Sequence, residues 1–207
     1  MRTSTLRLAI LLLLALPSVP QALQSVVGEW QPLTVGDRWI YVREMRTGTR
    51  EQPRIETRER DELIAGVITG QQSTLILRKV ENGPNDANIL VRDNCIFFPN
   101  DHYYDVSLAQ ITADSLPDVC FPLRQGMTWG DPKKGRDLWT VAGLGRKHPD
   151  DPASVTPDSW RLEAHLASGD DNYVWFRKGV GVVAARTWHN GTYTDESVRL
   201  LRFEPAR

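Results

Sequence analysis

The chain has 207 residues, with 25 basic and 26 acidic side chains for a formal charge of −1, and 41% of it is hydrophobic. This balance gives no electrostatic case for nucleic acid, which calls for a clustered basic face. The length suits one domain able to bury a real core without help from a second copy, so a monomer is expected.

In chain order, the first feature is a leader. Arg2 and Arg7 flank a short polar start, an uncharged apolar run follows from Leu8 to Leu16, and Pro17 breaks it. This is the layout of a secretory signal, with cleavage expected near Ala22 and a single β-rich domain over 23–207. The apolar run falls well short of the roughly 18 to 20 residues that a membrane-spanning helix needs. No cysteine lies near the cleavage point, which argues against a lipid anchor. Removing Arg2 and Arg7 takes the charge from −1 to −3. A periplasmic or secreted location is expected.

Beyond the leader, alternation and short β-branched runs bounded by turn residues outnumber windows with a helical period. Strands are expected near Arg38–Glu44, Ile55–Val67, Ser73–Val80, Asn88–Arg92, Tyr103–Leu108, Leu138–Ala142, Ser159–Ala167, Tyr173–Arg177, Gly181–Trp188 and Thr192–Phe203. The segment from Arg50 to Glu62 carries Arg54, Glu56, Arg58, Arg60 and Glu62 on one side, a pattern of a solvated strand with cross-strand ion pairs or of a binding strip for a charged partner. Glu81–Ala87 and the Pro- and Asp-rich Gly145–Ser159 read as surface loops. Asn190-Gly191 tolerates the positive φ angles of a type I′ turn, so the last two strands should form a hairpin. In the final strand Leu200 and Leu201 place apolar groups on both faces, which implies burial from both sides or a bulge.

Cys95 and Cys120 are the two cysteines of the chain. Export puts them where thiols oxidise, so a disulfide is expected, worth about 3.5 kcal/mol through loop closure. A metal or redox pair would want a closer spacing.

Two segments share a pattern: Pro32-Leu33-x-x-Gly36-x-x-Trp39 and Pro122-Leu123-x-x-Gly126-x-x-Trp129. Each reads as a corner that starts a strand, with glycine in a turn and the tryptophan ring in the core. The first copy continues to Tyr41, and Lys178-Gly179-Val180-Gly181 lies near the C-terminus. On these residues the chain resembles a loose group of exported bacterial proteins with no established activity. The resemblance implies a curved antiparallel sheet forming a half-open barrel; a β-sandwich is the alternative.

Motifs for chemistry are weak. Gly179–Ala184 fits the letters of a dinucleotide fingerprint, but β-branched residues follow where a helix is needed, so a strand bend is expected and no cofactor. His102 lies among Asp101 and Asp105 in the disulfide loop, and His148, His165 and His189 are scattered, which gives no converging metal set. Asp150, Asp151 and Asp158, and Asp170-Asp171, lack the spacing of a calcium loop. Seven tryptophans are many for this length. Trp39, Tyr41, Trp129, Trp139, Trp175 and Trp188 are therefore the candidate ligand-binding residues of a concave sheet face, since such pockets are mainly apolar with a few polar groups. The leading expectation is a non-enzymatic module binding an apolar small molecule or an envelope partner. The rivals are a hydrolase using dispersed carboxylates and His102, and a structural surface protein working through a sheet edge.

Overall fold

A computed structural model of the chain describes residues 26–49, 51–70, 73–81, 88–97, 117–134, 137–146, 157–165, 170–188 and 195–207. The expected leader, the Tyr103–Leu108 strand, His102, the Asn190-Gly191 turn and most of both surface loops lie outside these residues.

A short helix α1 (Val26–Trp30) precedes twelve strands: β1 (Arg38–Gly48), β2 (Pro53–Thr69), β3 (Thr74–Glu81), β4 (Ile89–Arg92), β5 (Cys95–Phe97), β6 (Val119–Cys120), β7 (Thr128–Trp129), β8 (Leu138–Leu144), β9 (Ser159–His165), β10 (Asp171–Arg177), β11 (Gly181–Trp188) and β12 (Asp195–Glu204). They form one sheet in the order β6-β5-β4-β3-β2-β1-β12-β11-β10-β9-β8-β7. Every pairing is antiparallel. Two six-stranded meanders are thus joined through β1 and β12. Their outer edges, β6 and β7, come together where the Trp129 indole N–H donates to the Asp118 carbonyl. The sheet is a nearly closed barrel, as the curved-sheet expectation has it, and a single sheet rules out the sandwich alternative.

Side chains alternate across each strand, so every strand contributes one row to the inside. In β1, Trp39 and Tyr41 are 1% and 4% exposed while Arg38 faces solvent. The main core gathers Val119 of β6, Ile96 of β5, Ile76 of β3, Ile64 of β2, Trp39 and Tyr41 of β1, Phe176 of β10, Leu162 of β9, Val141 of β8 and Trp129 of β7. Because one cluster takes residues from strands at both ends of the sheet order, the face they share is the concave one. Two smaller clusters, Leu75 with Leu90 and Phe97, and Trp175 with Val183 and Ala184, lie on the opposite face.

Helix α1 seals one end of the barrel. Val27 is fully buried, and the Trp30 ring stacks on Phe121 at 5.6 Å and meets Trp160 edge-on at 6.1 Å. The Glu29 carbonyl accepts from Gly179 N–H at 2.9 Å, and its carboxylate pairs with Lys178. Just after α1, the Gln31 amide lies over Gly181, where a Cβ would come within 2.0 Å of it. The Gly179–Ala184 stretch is accordingly a turn leading into β11.

The two corners seen in sequence are built alike. In the first, Asp37 N–H donates to Thr34 O, Gly36 N–H to Ile64 O, and Ile64 N–H to Asp37 O. In the second, Met127 N–H donates to Arg124 O, Gly126 N–H to Val141 O, and Val141 N–H to Met127 O. Gly36 and Gly126 both take positive φ, +99° and +79°, a conformation that glycine adopts without strain. The likeness runs on into the next strand. Ile64-Ala65-Gly66 and Val141-Ala142-Gly143 each carry a β-bulge, and Trp39 pairs Glu62 as Trp129 pairs Trp139, two residues before the bulged segment. The two meanders therefore begin with the same corner, strand and bulge, a structural repeat longer than the sequence echo.

Cys95 and Cys120 face each other in the β5–β6 register and are joined at an S–S distance of 2.11 Å. The crosslink fixes the two-residue edge strand that the closing corner leaves.

Candidate functional site: the concave face of the barrel

Following the cross-strand pairs around the sheet gives a continuous row on the concave face: Val141, Leu162, Val174, Ala185, Val198, Arg43 and Arg58. The next row toward the end away from α1 is Trp139, Ala164, Asn172, Thr187, Glu196, Met45 and Glu56. Burial changes along these rows. Val141 and Leu162 are sealed at 1% and 0% exposure, whereas Val174, Ala185, Val198, Met45, Asn172 and Thr187 are half-buried. Apolar side chains that face inward and still meet solvent mark the part of the concave face that the described residues leave half open.

The two walls of this surface differ chemically. On β8–β12, Glu196 is the one charged side chain facing inward among the described residues. On β1–β3, the inward row carries Arg43, Arg54, Arg58, Arg60 and Arg78 against Glu56 and Glu62. Glu62 is buried and shared, 2.8 Å from Arg60 Nε and 2.6 Å from Arg78. Arg43 donates two hydrogen bonds to Glu196, at 2.7 and 2.8 Å, and this partner raises its pKa above the usual arginine value. The strip Arg54–Glu62 thus runs from solvent into the barrel: the Arg58 and Glu56 side chains are mostly exposed, those of Arg60 and Glu62 mostly buried. The solvated reading of the strip holds at its Arg54–Arg58 end, while Arg60 and Glu62 lie in the interior.

Tyr41 sits against this cluster. Its hydroxyl donates to Val182 O at 3.2 Å, and burial first, then Glu62, pushes its pKa well above 10, with Arg78 and Arg60 pulling the other way. Asn172 adds a polar atom to the apolar wall: its side-chain oxygen is buried without a hydrogen-bond partner.

Of the six aromatics named from the sequence, four share the concave face. Trp39 lies at the sealed end, its indole N–H bonded to Val180 O at 2.7 Å and its ring stacked on Phe203. Tyr41 and Trp129 are buried, and Trp139, the cross-strand partner of Trp129, is half-buried. Trp175 and Trp188 stand on the opposite face. Trp175 pairs with Arg161 and Ala184, is 1% exposed, and donates to Arg146 O at 3.0 Å. Trp188 pairs with Asp171 and lies under Arg186. Sequence reasoning did not single out Arg43, Arg78, Glu196, Asn172, Val174 or Val198 as site residues. Arg60 and Glu62 were visible in the charged strip, but their partner Arg78 is set by the β2–β3 register.

No family model matches the chain, and no curated protein matches it. Among solved structures it is similar to a candidate lipoprotein of Parabacteroides distasonis, at 10% identity over 84% of this chain and 97% of that one, with a TM-score of 0.37. It is also similar to a candidate exported protein of Bacteroides fragilis with a YmcC-like fold, at 10% identity over 85% and 99%, TM-score 0.41. A LolA-superfamily protein of Nitrosomonas europaea matches at 8% identity over 88% and 90%, TM-score 0.31. At such values the chemistry has to be argued from this chain's own residues.

Proposed function

We propose that the protein is an exported, non-enzymatic module, periplasmic or secreted, that holds an apolar ligand on the half-open part of its concave face. The row Val174–Ala185–Val198 carries this reading, because inward-facing aliphatic groups above a sealed core offer apolar area that a ligand would remove from water. Trp139 supplies a ligand contact at the rim, and Trp39, Tyr41 and Trp129 form the floor. Export is supported by the leader pattern and by the Cys95–Cys120 crosslink. No described helix is long and apolar enough to cross a membrane.

The edge-docking alternative has one feature in its favour. Among the described residues, β2 from Pro53 to Arg60 is paired only with β1. The charges along that edge are of the kind that discourage strand addition, so the concave face is the stronger site.

Titration of the full chain with the apolar fluorophore 1-N-phenylnaphthylamine tests the proposal. Saturable binding is expected, and Val174→Arg should weaken it about tenfold or more by setting a charge in the apolar row. Ile68→Arg, on an exposed convex position, should leave it unchanged. Equal loss in both variants, or no saturable binding to the parent chain, would contradict the proposal.

A further inference from the structure

Resting on the apolar-site reading, we infer that the ligand is an amphiphile with an anionic headgroup, a carboxylate or a phosphate, and that the inward arginines of β1 and β2 receive that group. Two observations meet here. The aliphatic row Val141–Leu162–Val174–Ala185–Val198 does not end in another apolar residue; its cross-strand neighbours are Arg43 and then Arg58. A chain lying along that row delivers its polar end to guanidinium groups.

The inward wall is also out of charge balance. Among the described residues, five arginines (Arg43, Arg54, Arg58, Arg60 and Arg78) face three glutamates (Glu56, Glu62 and Glu196), leaving two positive charges in a chain whose formal charge is −1. Glu62 is shared between Arg60 and Arg78, and the Arg58–Glu56 pair at 3.2 Å is exposed, so an incoming anion exchanges a solvated contact rather than a buried one-to-one pair. The positive excess borders the half-open surface, where partial burial strengthens a charge-assisted bond over one in water. Guanidinium groups bind carboxylate and phosphate through two parallel N–H donors, which the fork of Arg58 or Arg60 can present.

The test compares dodecanoate and dodecyl phosphate with 1-dodecanol, each displacing 1-N-phenylnaphthylamine from the full chain, with inorganic phosphate as a separate arm. Both anions should displace the fluorophore at about tenfold lower concentration than the alcohol. Raising the salt concentration should shrink that preference. Arg58→Gln with Arg60→Gln should bring the preference, read as the ratio of anion to alcohol displacement in that variant, close to one. If Arg60→Gln disturbs the fold, Arg58→Glu, on a mostly exposed side chain, should still reduce it.

Equal displacement by all three amphiphiles would overturn the headgroup inference and leave the apolar site standing. Failure of the fluorophore itself to bind would overturn both. Inorganic phosphate competing as well as dodecyl phosphate would show an adventitious ion only and would also overturn the inference.

Discussion

Tyr41 and Asp37 show how single residues join the structure's halves. The Tyr41 phenol is buried, bonded to Val182 O, and held protonated well beyond the usual range of tyrosine. Its pKa is raised in the folded state, so the contribution is intact below pH 10, where both states keep the proton. It is lost as the pH climbs above 10, because the unfolded chain then ionises and the folded one does not. Chemical denaturation of the parent chain should show stability falling above pH 10 by at most about 1.4 kcal/mol per pH unit from this residue. Tyr41→Phe should flatten that part of the fall, and an identical slope in the variant would contradict the assignment. Asp37 is 3% exposed and accepts from Thr34 N–H at 2.7 Å and from Ala206 N–H at 2.9 Å, tying the first corner to the chain's last residues. Its counterpart in the second corner is Met127, which has no such group. Asp37→Ala should cost about 1–3 kcal/mol in denaturant unfolding, since two backbone donors lose a charged acceptor. Met127→Ala should cost less, as a half-buried apolar truncation.

At the scale of elements, the legible parts of the sequence were those with local causes. The ends of β3, β4, β8 and β11 fall within two residues of their expected positions, because alternation and turn residues are local signals. The double apolar face at Leu200-Leu201 is a bulge: β1 pairs Ile40 with Arg202 but Tyr41 with Leu200, so Leu200 and Phe203 both turn inward and Leu201 is left exposed. Helix α1 was not foreseen, because five residues cannot display a helical period next to an apolar leader. Strands β5 and β6 carry no local signal either, being three and two residues long and held by register and crosslink rather than by propensity. Aromatic count identified the material of the core but not its side. Tyr173, Val174, Trp175 and Phe176 are apolar in succession, so alternation alone cannot say which of them turn inward, and Trp175 went to the convex face. The ion cluster was half visible for a similar reason. Arg60 and Glu62 are neighbours in sequence, while Arg78 and Glu196 arrive only through long-range pairing.

Over the whole molecule, the repeated corner sets the division of labour. Each copy starts a meander and plants a tryptophan whose indole N–H bonds to a carbonyl of the other half, Trp39 to Val180 and Trp129 to Asp118. One seam between halves is the full β1–β12 ladder; the other has no described ladder and relies on the Trp129 bond and the core beneath it. With α1 closing one end, the half-buried aliphatic row and the arginine-rich wall are left toward the other. The claim that this surface is where a ligand sits is tested most directly by methyl-resolved NMR of the full chain titrated with 1-dodecanol. The account predicts shifts and intermolecular contacts at the methyls of Val174, Ala185 and Val198, with Ile55 and Ile68 on the convex face unmoved. Contacts confined to Ile55 or Ile68, or none at the inward row at saturating ligand, would contradict it.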